Sequence, residues 1–589
     1  MALIQSYSRY YHDSTKYAVD RLGGAPLDWA MQPEPFKDIV TKRKIDLSQY
    51  LPFRENQFNP SLPSGQKDDA TAQEIGPARL SRLLYFTNGV TRIVNTALTA
   101  KPLRFLMRAA PSAGGLYPTE IYVAVRANRH FASGIYNYQV RDHSIIPLWD
   151  GDEWKAFEKY CFSHAALAEA DLLVLLSVLP FRSSWRYKER GYRRCLLDTG
   201  HVLGNLVAYG QREGFAPEVI GGFWDSAFNG HLFFDDREEV LLGAVAMPLM
   251  AGRAAPTPKP TPASAEAAPA SAATLTRETG GSPHAPHAAT GAPAGYRAAA
   301  LRSPPRELPD LATIPTDQIS LHLHRLANIE GPLDPSMVLD LVPPPLAAED
   351  GNSAGGANRT SAGAGLPPPS LLTAPRDQSA WRHELGATLL LRRSTRGYTG
   401  GAIALEYLAA LLAYGYACYP PTGPTGPVGP AAATDPSAAE VASVAQSAQN
   451  RLFAPEVLET FVLALNVGNL EPGAYRYDPA SQRLTAVRLG QFRGQAHHLC
   501  LQQDLGRDAA ALVVHAMDLD RGLERYGERV YRYAHMDSGH LGQRLNLAAI
   551  AMDLGVSGIG GFFDDEVNLL FDLPPSYIVT YLTTLGQPV

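Results

Sequence analysis

A short tract near residue 392 combines cationic and hydroxyl side chains in a pattern suited to binding phosphate. It reads RRSTRG and contains Arg392, Arg393, Ser394 and Arg396. Guanidinium groups present forked donors that match a phosphate dianion, and the serine adds a hydroxyl. The alternative for such a tract is the solvated basic start of a helix. The tract is therefore a candidate anion site whose assignment depends on what surrounds it.

Two glycine-containing segments could bring the backbone close to a flat ligand. The first, PSAGG, stands directly before the apolar run TEIYVAV and consists of Pro111, Ser112, Ala113, Gly114 and Gly115. The second is the Gly560–Gly561 pair in IGGFFDD, which has a counterpart at Gly221 and Gly222 in IGGFWD. Residues that lack bulk let backbone amides approach a ring and donate hydrogen bonds to it. A tight turn before the strand is the alternative for PSAGG.

An internal repeat relates the two large parts of the chain. Asp198 in LLDTGH and Asp537 in HMDSGH are separated by 537 − 198 = 339 residues. The same spacing separates Glu120 from Glu459, Gly134 from Gly473, Arg190 from Arg529, Tyr192 from Tyr531, and Gly221 from Gly560. A shared offset over several motifs predicts two copies of one domain. We expect the repeated Arg and Tyr residues to form a buried structural network.

Composition marks the boundaries between the two copies. From residue 251 to about 300 the chain is mainly Ala, Pro, Ser and Thr, so burial cannot offset the entropy cost of ordering it. We predict a first domain over residues 1–250, a linker over 251–376 with a short ordered segment near 312–342, and a second domain over 377–589. A flexible insertion is expected near residues 420–445, where the sequence is rich in Pro, Gly and Ala.

Both copies alternate strand and helix patterns. TEIYVAV and ADLLVLLSVL are apolar runs of strand length, whereas GHVLGNLVAYGQREG and GHLGQRLNLAAIAMDLG carry apolar residues at helical spacing. Asp198 and Asp537 stand just before these helical patterns, where a capping role is expected. The pattern predicts an α+β fold in which each copy has a mixed or antiparallel sheet flanked by helices.

Composition also excludes several classes of protein. A formal net charge of −6 gives no electrostatic reason to expect nucleic acid as a partner. The sequence has no apolar run long enough to span a bilayer and no signal-peptide pattern, so a cytoplasmic protein is expected. The cysteines are scattered without CxxC spacing, which predicts neither a metal site nor a disulfide framework: Cys161, Cys195, Cys418 and Cys500.

The combined motifs resemble a known family. PSAGGLYPTEIYVAV, RYKERGYRRCLLDTGH and IGGFWD, with their second-copy counterparts RYGERVYRYAHMDSGH and IGGFFDD, are similar to the SagB-type/ThcOx dehydrogenases of the nitroreductase-like flavoprotein superfamily. RRSTRGYTG also resembles the N-terminal phosphate tract of that superfamily. The resemblance implies an α+β fold, FMN as cofactor, and sites at a two-fold interface where residues of both subunits hold each flavin. Two fused copies would form an internal pseudo-dimer.

The cationic tract and the PSAGG segment each occur only once in the chain. In the family these two features meet the same flavin from different subunits. When Leu80 in RLSRLLYF is set against Leu408 in YLAALLAY, an offset of 408 − 80 = 328, the positions that match the tract in the first copy are Ser64–Asp68, with the sequence SGQKD. The 339-residue spacing sets PSAGGLYPTE against Asn450–Glu459 in the second copy. These complementary losses predict one composite FMN site per chain. Gly560 and Gly561 would lie near its ring, whereas Gly221 and Gly222 would belong to the lost site.

An arginine–tyrosine pair in each copy departs from the family pattern. In azoline-oxidising members a Lys-Tyr pair is thought to act on the substrate proton, but the matching residues here are Arg186–Tyr187 and Arg525–Tyr526. Arginine stays protonated at any working pH and cannot serve as a general base. It could bind an anionic substrate or stabilise reduced flavin, and the tyrosine could relay a proton.

The resemblance implies an FMN-dependent oxidoreductase that dehydrogenates a small or peptide-derived biosynthetic substrate, with hydride passing to flavin N5. Two alternatives remain open: an NAD(P)H-dependent nitro or quinone reductase, and a flavin-free scaffold protein. The resemblance also allows a biosynthetic partner enzyme, because azoline oxidation in the family often works beside a cyclodehydratase.

Overall fold

The computed structural model describes most of both predicted domains. Its described residues are 5–21, 26–51, 74–96, 103–250, 299–331, 370–372, 382–416 and 452–589. Ser64–Asp68, the expected counterpart of the cationic tract, and the predicted insertion near 420–445 lie outside these ranges. Within the described residues, no helix is both long and apolar enough to cross a membrane.

The secondary structure of the first copy alternates strands and helices. Its helices are α1 (Tyr7–Thr15), α2 (Pro77–Asn88), α3 (Trp154–Tyr160), α4 (Ala165–Glu169), α5 (Pro180–Tyr187), α6 (Gly191–Arg212) and α7 (Asp225–His231). Its strands are β1 (Ile45–Asp46), β2 (Val90–Thr96), β3 (Leu103–Arg108), β4 (Thr119–Val125), β5 (Gly134–Gln139), β6 (Ser144–Asp150), β7 (Leu172–Val178), β8 (Glu218–Ile220) and β9 (Val240–Ala246).

The remaining elements repeat this arrangement. The helices are α8 (Ile319–Leu326), α9 (Leu385–Leu391), α10 (Leu405–Tyr416), α11 (Arg493–Leu499), α12 (Asp504–Asp508), α13 (Leu519–Tyr526), α14 (Val530–Ala551) and α15 (Asp564–Leu570). The strands are β10 (Ser370–Leu371), β11 (Leu458–Ala464), β12 (Gly473–Asp478), β13 (Arg483–Leu489), β14 (Ala511–Asp518), β15 (Gly555–Ile559) and β16 (Tyr577–Gly586).

Each copy contains one seven-stranded antiparallel sheet, and the two sheets have the same topology. The strand orders are β1-β6-β5-β4-β7-β9-β8 and β10-β13-β12-β11-β14-β16-β15. The central strands β4 and β7 are buried along their whole length, because helices and loops cover both faces of the sheet. Strands β2 and β3 form a separate hairpin in the first copy. The α+β prediction is confirmed.

The long helices α6 and α14 cross in direct backbone contact at the centre of the molecule. A Cβ atom on Gly200 would overlap the carbonyl oxygen of Met536, and one on Gly539 would overlap the carbonyl oxygen of Leu197. Glycine inside a helix costs about 1 kcal/mol relative to alanine. Here it allows the two helices to approach until their backbones touch, so the two copies share one core.

Buried ion pairs are exchanged between the copies in both directions. Asp225 at the start of α7 accepts bonds from Nη1 of Arg529 at 2.6 Å and Nη1 of Arg532 at 2.8 Å. The residues that the 339-residue spacing relates to this triad form a second one, in which Asp564 pairs with Arg190 at 2.8 Å and Arg193 at 2.7 Å. All six side chains are buried. The four arginines are thus part of a buried network, as the sequence predicts for Arg190 and Arg529.

Helices α1 and α8 each bind a glutamate through a backbone amide, in equivalent positions of the two halves. The amide of Ser8 donates to Glu528 Oε2 at 2.7 Å, and the amide of Ser320 donates to Glu189 Oε2 at 2.6 Å. Glu189 and Glu528 are related by the 339-residue spacing, but Ser8 and Ser320 are separated by 320 − 8 = 312 residues. The helix in the segment between the domains is therefore the structural counterpart of α1.

Neutralising one buried carboxylate should destabilise the whole molecule. Asp564→Asn leaves the charges of Arg190 and Arg193 uncompensated, and we expect the free energy of unfolding to fall by about 3–5 kcal/mol. Urea unfolding measures the change. The neighbouring Asp565 pairs with Lys16 near the surface, so Asp565→Asn should cost less than about 1 kcal/mol. Equal losses in the two variants would contradict a structural role for the buried pairs.

Candidate functional site

The cationic tract of the second copy lies against the first copy. Nε of Arg392 donates to the carbonyl oxygen of Ala109 at 2.6 Å, and Nη2 of Arg393 donates to that of Thr91 at 3.1 Å. Ala109 stands two residues before Pro111, and Thr91 lies on β2. The structure therefore brings the tract to the entrance of the PSAGG segment. Ser394 is half-buried beside these arginines, and Arg396 is exposed.

The same tract is fixed to the strand that leads to the second glycine pair. The amide of Thr395 donates to the carbonyl oxygen of Val556 at 2.8 Å, and the amide of Val556 donates to Oγ1 of Thr395 at 2.8 Å. Val556 lies on β15, which ends directly before Gly560. Arg194 of helix α6 in the first copy covers this glycine so closely that a Cβ there would overlap its guanidinium.

A buried aspartate holds the PSAGG segment in place. Asp198 Oδ2 accepts a bond from Oγ of Ser112 at 2.5 Å, and the amide of Ala113 donates to the same carboxylate at 3.2 Å. Burial raises the pKa of Asp198 to about 7, although the bond from Ser112 opposes this shift. The predicted capping role is wrong for both aspartates: α6 begins at Gly191 and α14 at Val530, so Asp198 and Asp537 lie in helix interiors and anchor loops instead.

The glycines of this segment face solvent beside the first arginine–tyrosine pair. Gly114 has φ +67°, a left-handed conformation that favours glycine, and a Cβ there would lie 2.9 Å from Oη of Tyr187 and 3.5 Å from Cδ of Arg186. In the part of the chain that the structure describes, nothing lies within 4 Å of the corresponding position on Gly115. The backbone of this segment is therefore accessible to a ligand from one side.

Several buried donors around this site have no acceptor among the described residues. They are Nη1 of Arg392, Nε of Arg393 and Nε of Arg194. Burial lowers the pKa values of Arg392 and Arg393 to about 10, and their mutual repulsion adds to the effect at Arg392. Both nevertheless stay protonated at neutral pH. Because an unsatisfied buried donor is costly, these cations suit an anionic group such as a phosphate.

The equivalent site in the other half of the molecule is filled by side chains. Phe453 takes the position of Gly114 and Tyr533 takes that of Arg194, and their rings stack with centroids 5.5 Å apart. A Cβ on Gly221 would lie 2.5 Å from Phe453 and 2.6 Å from Tyr533. The loop itself is retained, since the amides of Phe453 and Ala454 donate to Asp537 as Ala113 does to Asp198.

Residues 299–303, which we call the plug segment, complete this closure. The amide of Gly221 donates to the carbonyl oxygen of Ala299 at 2.6 Å, and the amide of Leu301 donates to Oη of Tyr533 at 3.2 Å. Leu301 is fully buried, and a Cβ on Gly222 would overlap its side chain. The space opposite Gly222 is therefore occupied by the chain itself.

The two arginine–tyrosine pairs also differ. Arg186–Tyr187 lies at the open site and Arg525–Tyr526 at the closed one, so the structure does not bring the two pairs together. Sequence reasoning missed Arg194, Leu301 and Glu456, the last of which pairs with Arg525 at 2.7 Å. The signal for Arg194 was present in the repeat, because the 339-residue spacing sets it against Tyr533 in an otherwise similar motif.

Comparison with known proteins defines the class. The chain belongs to the Nitroreductase family, whose family model matches residues 80–249 and 389–587, one region in each copy. The crystal structure of a nitroreductase homologue from Anabaena variabilis is similar over 100% of both chains, with a TM-score of 0.75 and 32% sequence identity. That protein has the same double-domain fold.

Two curated relatives match single regions of the chain. The Methanocaldococcus jannaschii nitroreductase homologue MJ1384 is 27% identical over 165 residues, which are 26% of this chain and 83% of the relative. The microcin B17-processing protein McbC of Escherichia coli is 20% identical over 153 residues, which are 25% of this chain and 56% of McbC.

The buried loop-anchoring carboxyls should make stability depend on pH. Burial raises the pKa of Asp537 from 3.8 to about 8, so its protonated form stabilises the fold at low pH, and this contribution is lost as the pH rises from about 4 to 8. Asp537→Asn does not titrate. The variant should therefore gain roughly 2–5 kcal/mol relative to wild type between pH 4 and about 9, measured by urea unfolding. A constant difference across this range would contradict the prediction.

Proposed function

We propose that the chain is an FMN-dependent oxidoreductase with one composite flavin site, formed by the cationic tract of the second copy and the PSAGG segment of the first. The observation that carries this proposal is the buried Arg392 guanidinium, which bonds to the carbonyl oxygen of Ala109, two residues before Pro111, while its Nη1 has no acceptor among the described residues. The other site supports the count of one, because Phe453, Tyr533 and Leu301 fill it.

Each group at the open site has a role in this proposal. Arg392, Arg393, Ser394 and Arg396 hold the flavin phosphate, and Pro111–Gly115 line the ring. Gly560 and Gly561 lie behind Arg194, to which they give room. Arg194 places a positive charge beside the ring, where it stabilises negative charge. FMN supplies hydride acceptance at N5 when bound. Asp198 positions the glycine segment through Ser112 and Ala113.

Two lines of support bear on the direction of the reaction, and each favours a different candidate. The resemblance to SagB-type enzymes and the match to McbC favour dehydrogenation of a peptide-derived or small biosynthetic substrate, with reoxidation by oxygen or another acceptor. The higher identity to proteins named nitroreductases favours a second candidate, reduction of nitro or quinone compounds by NAD(P)H. Rapid anaerobic bleaching of the flavin band by NADPH would select the second candidate.

Removing the buried cation should weaken flavin binding. Charge-assisted hydrogen bonds to phosphate contribute about 1.5–3 kcal/mol each, so we expect Arg392→Gln to raise the Kd for FMN about 10- to 100-fold. Quenching of flavin fluorescence on binding to the apoprotein gives the Kd. Arg521→Gln, on an exposed arginine of the same domain, serves as the charge-matched control and should leave the Kd unchanged.

Because Arg392 also bonds to Ala109, the free energy of unfolding of Arg392→Gln is compared with that of wild type by urea unfolding. Ser394→Ala, which removes only a hydroxyl, gives a second test that does not disturb this contact. Equal FMN affinity in wild type and both tract variants would contradict the assignment of the phosphate site. Failure of wild type to bind FMN would contradict the proposed function and favour a scaffold role.

A further inference from the structure

The two arginine–tyrosine pairs occupy equivalent positions, but among the residues that the structure describes only Arg525–Tyr526 has an acidic partner. In the closed half, Nε of Arg525 lies 2.7 Å from Glu456 Oε1, and Oη of Tyr526 donates to the same carboxylate oxygen. The two side chains thus form a clamp that holds a carboxylate between a guanidinium and a phenol. This arrangement shows what kind of group the pair can bind.

The open half lacks the corresponding carboxylate. The 339-residue spacing sets Glu456 against Tyr117. The side chain of Tyr117 turns towards Arg108, whose guanidinium stacks on the tyrosine ring with its carbon 4.6 Å from the centroid and whose amide donates to Oη at 3.2 Å. It therefore does not reach into the clamp. Arg186 and Tyr187 have no carboxylate partner within the described ranges and lie over Gly114.

We propose that the substrate of the open site carries a carboxylate, which Arg186 and Tyr187 bind over Gly114 as Arg525 and Tyr526 bind Glu456. This inference rests on the proposed function, because the flavin ring would lie beside the same glycine segment. Arg186 is an exposed cation. Tyr187 is protonated at neutral pH, and burial raises its pKa further above the ordinary value. Both groups donate hydrogen bonds, so the clamp is complementary to an anion and not to an amine.

The carboxylate could belong to a small acid or to the C-terminus of a peptide, which share this chemistry. These two sources of the carboxylate, a small acid and a peptide C-terminus, can be distinguished with two ligand pairs. Benzoate and benzamide have nearly the same shape, but the amide is neutral and has an NH2 group in place of one carboxylate oxygen. The dipeptide Gly-Phe with a free or an amidated C-terminus gives the same comparison on a peptide. Titration calorimetry with the FMN-loaded protein measures all four affinities.

We expect the carboxylate of at least one pair to bind about 10-fold or more tightly than its neutral amide. Arg186→Gln should remove this preference without changing the affinity for the amide, and Tyr187→Phe should reduce it. Arg525→Gln is the matched control at the closed site and should change neither affinity. Arg186 is exposed, so its substitution leaves the core intact.

Preference in the benzoate pair alone indicates a small acid, and preference in the dipeptide pair alone indicates a peptide C-terminus. Equal affinities for carboxylate and amide in both pairs would overturn the inference, as would a preference that persists in Arg186→Gln. If the protein binds FMN but shows no preference for a carboxylate, only this inference is contradicted. A protein that takes up no FMN contradicts the proposed function, and this inference with it.

Discussion

The exchange of buried arginine–aspartate pairs between the two copies is the interaction on which the other features of the molecule depend. Asp564 follows Gly560 and Gly561 by only a few residues, so its pairing with Arg190 and Arg193 fixes the end of β15 against helix α6. Arg194 is the next residue of that helix and therefore lies against Gly560. A buried aspartate that lost its partners would cost several kcal/mol. The open site is thus a consequence of how the copies are joined.

The two halves share one pseudo-symmetric frame but differ in the side chains at their glycine loops. Ion pairs, crossing helices and loop anchors are present in both halves, because each copy needs them to hold the other. At the glycine loops the residue types differ. Phe453 replaces a glycine and Tyr533 replaces an arginine, and together with Leu301 they fill the second site with buried apolar contacts. Burial of these side chains favours the closed state.

Much of this arrangement could be predicted from the sequence. The 339-residue spacing predicted the duplicated fold. The composite site that the single occurrence of the tract and of PSAGG predicts stays a prediction, although the tract does contact Ala109, two residues before PSAGG. The plug segment could not be predicted, because its short apolar sequence follows a Pro- and Ala-rich stretch and shows no periodicity. The relation of α8 to α1 was hidden by its different offset. Asp198 was misassigned as a cap because the sequence does not show that its helix begins seven residues earlier.

The number of flavins bound per chain distinguishes one composite site from two or none. Purified protein saturated with FMN and freed of excess ligand is denatured, and the released flavin is quantified against the protein concentration. A single composite site predicts a ratio near one, because Phe453, Tyr533 and Leu301 fill the equivalent space in the other half. A ratio near two would show that the filled site opens to accept flavin and would contradict the account, as would a ratio near zero.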